Sequence, residues 1–226
     1  RFASPILLSQ HRICRNVVRN SEKHFTYLIY KSMTLSTYHQ KYVDQSDEEI
    51  QRKADAKEQE LTSIFQEVSL NTDSDPVKLA VLGCGDKRLV AHHKRIFENV
   101  LKRNVEVTTF DISIDHLTGE SNVFQHDCTL PIPNPPYDIT FAHVLLKFIE
   151  TEKQFDLLKN SFDALKSGGV AIHVFDEEEI NATSPKLPDD LWAVPLEKWK
   201  KKLTELNIEY REIPLKYGPA LVLLRK

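Results

Sequence analysis

Two of the six glycines, Gly83 and Gly85, stand two positions apart in the segment Leu82-Gly83-Cys84-Gly85-Asp86. The apolar run Val77–Leu82 that precedes them is typical of a buried strand. Glycines at the exit of a strand allow a ligand to approach the backbone closely where the following helix begins. The pair alone is also compatible with a tight turn that binds nothing.

Asp111 follows a second apolar run, in Thr109-Phe110-Asp111-Ile112, 26 positions beyond Gly85. A carboxylate at the end of the second strand can accept hydrogen bonds from the hydroxyl groups of a ribose. The carboxyl ends of neighbouring parallel strands lie at the same edge of a sheet. The two segments therefore predict one nucleoside-binding cleft at that edge.

His143 ends the fourth predicted strand, where a general base would lie within hydrogen-bond reach of a substrate. A structural histidine held by hydrogen bonds fits the same position. The acidic run Asp176-Glu177-Glu178-Glu179 follows the fifth predicted strand on the same rim. It fits either a site for a cationic acceptor or a solvated acidic loop.

The segment Asn134-Pro135-Pro136-Tyr137 matches a signature of enzymes that methylate the amino nitrogen of adenine. In those enzymes the signature leaves the fourth strand at its carboxyl end. Here it precedes the apolar run 139–144 instead. Its position therefore favours a proline-rich turn that enters the strand.

The spacing of apolar residues predicts the elements that position these side chains. An amphipathic helix is expected over 47–69, and Asn71–Pro76 breaks it. The predicted strands are 77–82, 105–110, 122–126, 139–144, 170–175, 208–213 and 220–224, and the later helices are 87–102, 151–166 and 195–206. Gly168-Gly169 is expected to stop the helix 151–166 through a left-handed cap.

Alternating strands and helices predict an α/β fold with a doubly wound, mostly parallel seven-stranded sheet. The last two strands are joined too closely for a crossover helix, so they must form an antiparallel hairpin. The expected organisation is a helical N-terminal segment, residues 1–75, that caps a main domain formed by residues 76–226.

Five segments in this order resemble the motif series of class I S-adenosylmethionine (SAM)-dependent methyltransferases, and the resemblance covers residues 77–226. The segments are Val81–Gly85, Phe110–Ile112, Gln125–Cys128, Tyr137–Leu146 and Leu165–Gly169. The resemblance implies a Rossmann-like methyltransferase with SAM as its cofactor.

In that family the glycine loop contacts the methionine part of SAM, and the acid after the second strand binds the ribose. An Asp after the third strand holds the adenine amino group. By matched position the cofactor-binding residues are Gly83, Cys84, Gly85, Asp111, Ile112, Asp127 and Cys128. The end of the fourth strand faces cofactor and acceptor, which makes His143 the candidate catalytic residue.

The chain departs from the family pattern at two positions. The family usually has an acidic residue that anchors the methionine ammonium where this chain has Val81, and a third glycine where it has Lys87. An exposed Lys87 about 4 Å from the sulfonium would cost on the order of 1 kcal/mol. These departures motivate an alternative function, a catalytically inactive binding or scaffold protein. An NAD-dependent oxidoreductase would need a full G-x-G-x-x-G and a substrate domain, and the sequence has neither.

Charge is distributed unevenly along the chain. Residues 1–31 contain six basic side chains and one acid, so the formal net charge of -3 leaves about -8 for residues 32–226. An acidic main domain repels phosphate backbones, which favours a small-molecule acceptor. The basic start fits a nucleic-acid or acidic-partner contact, an organelle-targeting remnant or a solvated helix face. An RNA or protein methyltransferase that uses this segment is a lesser alternative.

The three cysteines, Cys14, Cys84 and Cys128, form no C-x-x-C pair, and no histidines stand at zinc-finger spacing. This pattern favours a reducing, cytoplasmic environment and predicts no metal site. No apolar run approaches the roughly 18 to 20 residues that span a bilayer, so no membrane association is expected.

Overall fold

The structure is a computed structural model that describes residues 45–226. The predictions made for residues 1–44, including the basic segment 1–31 and Cys14, lie outside the described residues. None of the helices within 45–226 combines the length with the apolar character that crossing a bilayer requires.

Seven strands form one sheet. In chain order they are β1 (Val77–Leu82), β2 (Val105–Asp111), β3 (Val123–Gln125), β4 (Tyr137–His143), β5 (Leu165–Val174), β6 (Glu209–Pro214) and β7 (Pro219–Leu224). Their order across the sheet is β3-β2-β1-β4-β5-β7-β6. Strands β1 to β5 pair in parallel, and β7 pairs antiparallel with β5 and β6. The predicted fold class and the terminal hairpin are confirmed.

Helices cover both faces of the sheet, because successive side chains of a buried strand point to opposite faces. The helices are α1 (Asp47–Glu67), α2 (Lys87–Leu101), α3 (Thr151–Asp163), α4 (Glu177–Ile180) and α5 (Leu196–Glu205). Leu79 and Val81 of β1 belong to the core that includes α1 and α2, whereas Ala80 and Leu82 belong to the core with α3 and α5. The sheet is therefore the middle of three layers.

Helix α1 shares a core with the sheet through Ala54, Leu61 and Ile64. The loop that links α1 to β1 is fastened by Asp138 of β4, which is 1% exposed. Its carboxylate accepts hydrogen bonds from the Lys78 N–H at 2.7 Å and from the Ser74 hydroxyl at 3.0 Å. These contacts fasten the end of this loop to the amino ends of β1 and β4. The capping role of the whole segment 1–75 stays a prediction.

The expectation for Gly168-Gly169 is wrong. Helix α3 ends at Asp163, and its C-cap Ala164 has right-handed helical dihedrals, so no left-handed cap forms. Both glycines lie inside β5, which begins at Leu165. The register with β4 shifts there, because Tyr137 pairs with Leu165 whereas Ile139 pairs with Val170. The extra residues of β5 form an irregularity of the bulge type, which glycine accommodates.

We expect Gly168→Ala to lower the free energy of unfolding by at least about 2 kcal/mol. Gly168 has φ +80°, and a Cβ atom there would overlap the backbone oxygen of Asn71. Gly119 is the matched control, because it also has a positive φ but nothing lies within 4 Å of the position that a Cβ atom would occupy. Gly119→Ala should cost only about 1 kcal/mol, from backbone strain alone. Urea unfolding of both variants measures the difference, and equal losses would contradict the steric explanation.

Candidate functional site

The turn between β1 and α2 is built around Gly83, whose φ of +76° is in the left-handed region that favours glycine. Its N–H donates to the Phe110 carbonyl oxygen at 2.7 Å. The next residue, Cys84, donates its N–H to Asp111 Oδ2 at 2.8 Å. Asp86 then caps α2 by accepting from the Arg88 N–H. The glycine loop is thus tied to the end of β2.

Asp111 lies at the end of β2 and is 6% exposed. Its second carboxylate oxygen accepts a hydrogen bond from the Ser113 N–H at 3.0 Å. An ionised carboxylate has about four acceptor sites, so each oxygen retains capacity for another donor. The neighbouring Ile112 is 67% exposed and presents an apolar surface beside this carboxylate.

Asp127 and Cys128 follow β3 at the same edge of the sheet. Asp127 Oδ1 accepts hydrogen bonds from the N–H and the hydroxyl of Thr129. Burial raises the pKa of the Cys128 thiol to about 12, and the Cys84 thiol has a pKa of about 12 for the same reason. Both thiols are protonated at neutral pH, so neither has the thiolate form that a nucleophile or a metal ligand needs.

A cavity of about 380 Å³ lies beside the glycine loop, between α1 and the ends of β4 and β5. Four of the residues predicted from the sequence line it: Gly83, Cys84, Gly85 and His143. Asp111, Ile112, Asp127 and Cys128 do not line this cavity, but Asp111 contacts the loop directly through Cys84. This cavity is therefore not the single cleft predicted between the glycine loop and Asp111.

His143 and Glu60 form a hydrogen-bonded pair at the cavity, with 2.9 Å between His143 Nε2 and Glu60 Oε2. Burial is the largest effect on Glu60 and opposes its ionisation, but the interaction with His143 and the charge of Lys57 together lower the pKa of the carboxyl. Burial and the charge of Lys57 lower the pKa of His143. The ring is then neutral at pH 7, with its hydrogen on Nε2, which donates to Glu60. Nδ1 is left as the proton acceptor.

Lys57 of α1 also lines the cavity and is 9% exposed. Its ammonium makes no hydrogen bond or ion pair with any residue in 45–226. Burial lowers its pKa to about 8. Sequence reasoning missed both Lys57 and Glu60. The signal for Lys57 was its place on the apolar stripe of the helix, three residues after Ala54 and four before Leu61.

The acidic run after β5 has a structural explanation. Asp176 caps α4 in a capping box with Glu179, and its Oδ2 pairs with Lys147 Nζ at 2.6 Å. Asp176 and Lys147 line the cavity, whereas Glu177 and Glu178 are exposed. Within residues 45–226, no three His, Cys, Asp or Glu side chains form a group that could hold a metal ion.

The Asn134–Tyr137 segment lies at the start of β4, at the opposite end of the strand from His143. The Tyr137 hydroxyl donates to the Pro133 carbonyl oxygen at 2.8 Å, so this side chain closes the turn on itself. The prediction of an entry turn is confirmed.

The two departures from the family pattern are structurally separate. Val81 is buried in the core with α1 and α2, whereas Lys87 is exposed at the start of α2 and does not line the cavity.

Solved methyltransferases have the same fold as this chain. A SAM-dependent methyltransferase from Clostridium acetobutylicum matches it with a TM-score of 0.58 at 12% identity, over 83% of this chain and 99% of that one. The sugar N-methyltransferase KedS8 from Streptoalloteichus matches with a TM-score of 0.55 at 12% identity, over 76% of this chain and 88% of that one. An O-methyltransferase family protein from Burkholderia thailandensis matches with a TM-score of 0.53 at 10% identity, over 74% of this chain and 56% of that protein. The sequence matches no family model and no curated protein.

We expect Glu179 to contribute a loss of stability between about pH 5 and pH 8, which is read as the difference between wild type and Glu179→Gln. This side chain is fully buried, and its Oε2 has no hydrogen-bond partner among the described residues. Burial raises its pKa from 4.5 to about 8, so the unfolded chain loses this proton at lower pH than the folded chain does. The folded state is therefore penalised as pH rises through that window, by at most about 1.4 kcal/mol per pH unit, with no further loss above pH 8.

Urea unfolding at several pH values measures this slope in wild type, Glu179→Gln and the control Glu178→Gln. Relative to wild type, Glu179→Gln should lose the contribution that falls with pH, whereas Glu178→Gln, which changes an exposed neighbour, should give a profile parallel to wild type. Parallel profiles for all three proteins would show that Glu179 does not titrate in this window.

Proposed function

We propose that this protein binds SAM at the carboxyl ends of β1 and β2 and transfers its methyl group to a small acceptor molecule beside His143. The observation that carries the proposal is the hydrogen bond between Cys84 and Asp111. It joins the glycine loop to the Asp111 carboxylate, which would bind the ribose, and a cavity lies along the loop. The fold that the chain shares with solved methyltransferases supports this function.

The chemistry of the described residues fits the cofactor. Asp111 would accept hydrogen bonds from the ribose hydroxyls, and the exposed apolar side chain of Ile112 would pack on the adenine. Asp127 would accept from the adenine amino group, with Cys128 packed nearby. Gly83, Cys84 and Gly85 would lie along the methionine part, because a backbone without bulky side chains allows close approach.

SAM supplies a methyl group that its positive sulfur already activates. The protein then has to position the acceptor and, for an oxygen or nitrogen nucleophile, to remove a proton. His143 Nδ1 would take that proton. Glu60 holds the ring through Nε2 and would stabilise the positive charge that the ring gains, which makes Glu60 a positioning residue.

The size of the cavity favours a small acceptor. Its volume of about 380 Å³ is within the range of roughly 300 to 1,000 Å³ that small-molecule sites occupy. A cytoplasmic location and a nucleic-acid contact through residues 1–31 stay predictions from the sequence.

A second candidate is a catalytically inactive protein with a methyltransferase fold. Three observations favour it. Both oxygens of Asp111 already accept from the chain's own backbone, Val81 provides no acidic anchor, and the Leu145 side chain packs over Gly83, with its Cδ1 2.7 Å from where a Cβ would stand. Binding of the demethylated product, S-adenosylhomocysteine (SAH), separates the two candidates.

Calorimetric titration with SAH tests cofactor binding. We expect wild type to bind SAH, and Asp111→Asn to weaken binding roughly 10- to 100-fold, because hydrogen bonds to a charged acceptor contribute about 1.5–3 kcal/mol. Asp115→Asn, four residues on and exposed, is the control and should bind like wild type. Absence of heat from wild type at millimolar SAH would reject the methyltransferase proposal and favour the inactive protein.

Transfer of labelled methyl from SAM to a panel of small amines, phenols and carboxylic acids tests catalysis. His143→Gln should lower kcat about 10²- to 10⁴-fold while SAH affinity changes little. Glu60→Gln should lower kcat less and shift the pH profile of kcat/KM, because a neutral amide no longer favours the protonated imidazole. An unchanged rate in His143→Gln would exclude this residue as the base.

A further inference from the structure

We propose that Lys57 and Glu60 of α1 bind the amino-acid end of the cofactor. Lys57 would bind its carboxylate, and Glu60 would bind its ammonium in place of the acidic anchor that is missing at Val81. This inference rests on the proposed function and names residues that neither the motif series nor the fold assigns. In the family that this chain resembles, an acidic residue of β1 anchors the methionine ammonium. In this chain Lys57 and Glu60 come instead from α1, the helix that precedes β1.

The first observation is a buried cation that makes no direct ion pair, although the charge of Glu60 favours its ionised form. Lys57 is 9% exposed and has no hydrogen bond or ion pair with the described residues. A buried charge is costly unless it is paired, so this ammonium indicates an anionic group that enters the cavity. Burial lowers the pKa of Lys57 to about 8, and a carboxylate beside it would raise that value again.

The second observation is the position of Lys57 relative to the glycine loop. Lys57 lines the same cavity as Gly83, Cys84 and Gly85. The methionine part of the cofactor is the part that would lie along this loop. Its α-carboxylate is the one anionic group that SAM carries.

The third observation is that Glu60, three residues after Lys57, carries the opposite charge. Residues three apart on a helix lie on the same face, so Lys57 and Glu60 present a cation and an anion side by side. The α-carboxylate and α-ammonium of an amino acid have the complementary pair of charges. Another cation and anion that line the cavity, Lys147 and Asp176, neutralise each other at 2.6 Å.

The experiment compares two ligands that share the nucleoside. SAH has the amino-acid end, whereas 5′-deoxy-5′-methylthioadenosine has the same thioether without it. Both are titrated calorimetrically into full-length wild type, Lys57→Met and Lys53→Met. Lys53 is the matched control, because it is a more exposed lysine of the same helix that lines the same cavity.

We expect wild type to bind SAH more tightly than methylthioadenosine. Lys57→Met should weaken SAH at least tenfold and change methylthioadenosine less than twofold, whereas Lys53→Met should leave the ratio of the two affinities unchanged. Thermal unfolding checks the fold of each variant. Lys57→Met should be at least as stable as wild type, because it replaces a buried unpaired charge with an apolar side chain of similar length.

Two results overturn the inference while the proposed function stands. One is an SAH affinity unchanged in Lys57→Met, and the other is an equal loss for both ligands. If wild type binds neither SAH nor methylthioadenosine, the proposed function itself is wrong.

Discussion

The hydrogen bond from the Cys84 N–H to the Asp111 carboxylate is the constraint on which the rest of the site depends. Strands β1 and β2 are parallel and in register, with Leu82 opposite Phe110, so the residues that follow them are neighbours in space. Gly83 turns the chain so that the next N–H points at Asp111. The same turn opens the loop towards α1 and forms one wall of the cavity. A hydrogen bond from backbone to side chain, between residues 27 apart in sequence, thus fixes the position of the loop relative to β2.

Two hydrogen-bonded pairs line the cavity. Glu60 accepts a hydrogen bond from the neutral His143, and Asp176 forms an ion pair with Lys147. Each pair lowers the cost of removing its members from water, because the hydrogen bonds replace part of the lost hydration. Lys57 makes no direct ion pair with another residue in 45–226, and the charge of Glu60 favours its ionised form.

Much of the fold could be predicted from the sequence, because strands buried on both faces give continuous apolar runs and the helices have clear stripes. The bounds of β1 and the hairpin followed from these patterns. The prediction for the glycine pair in β5 was wrong, because a glycine with positive φ can either end a helix or lie in a strand where another segment approaches closely. The approach of the Asn71 backbone to Gly168 shows that the second case applies, and the sequence does not reveal this contact. Glu60 could not be predicted, because its partner His143 lies 83 positions away. Lys57 could have been noticed as a charge on the buried stripe of α1.

The sheet forms the framework, whereas α1 carries charged residues of the cavity, and this separation has an evolutionary consequence. The strands contribute a backbone framework that tolerates sequence drift, as the 12% identity to a solved methyltransferase of the same fold illustrates. Three of the charged side chains that line the cavity, Lys53, Lys57 and Glu60, are carried by a single 21-residue helix that precedes that framework in the sequence. Recombination that replaced this one helix would supply a new set of ligand contacts while β1 and its glycine turn stayed intact. Divergence of specificity can therefore proceed in a short contiguous stretch of the gene.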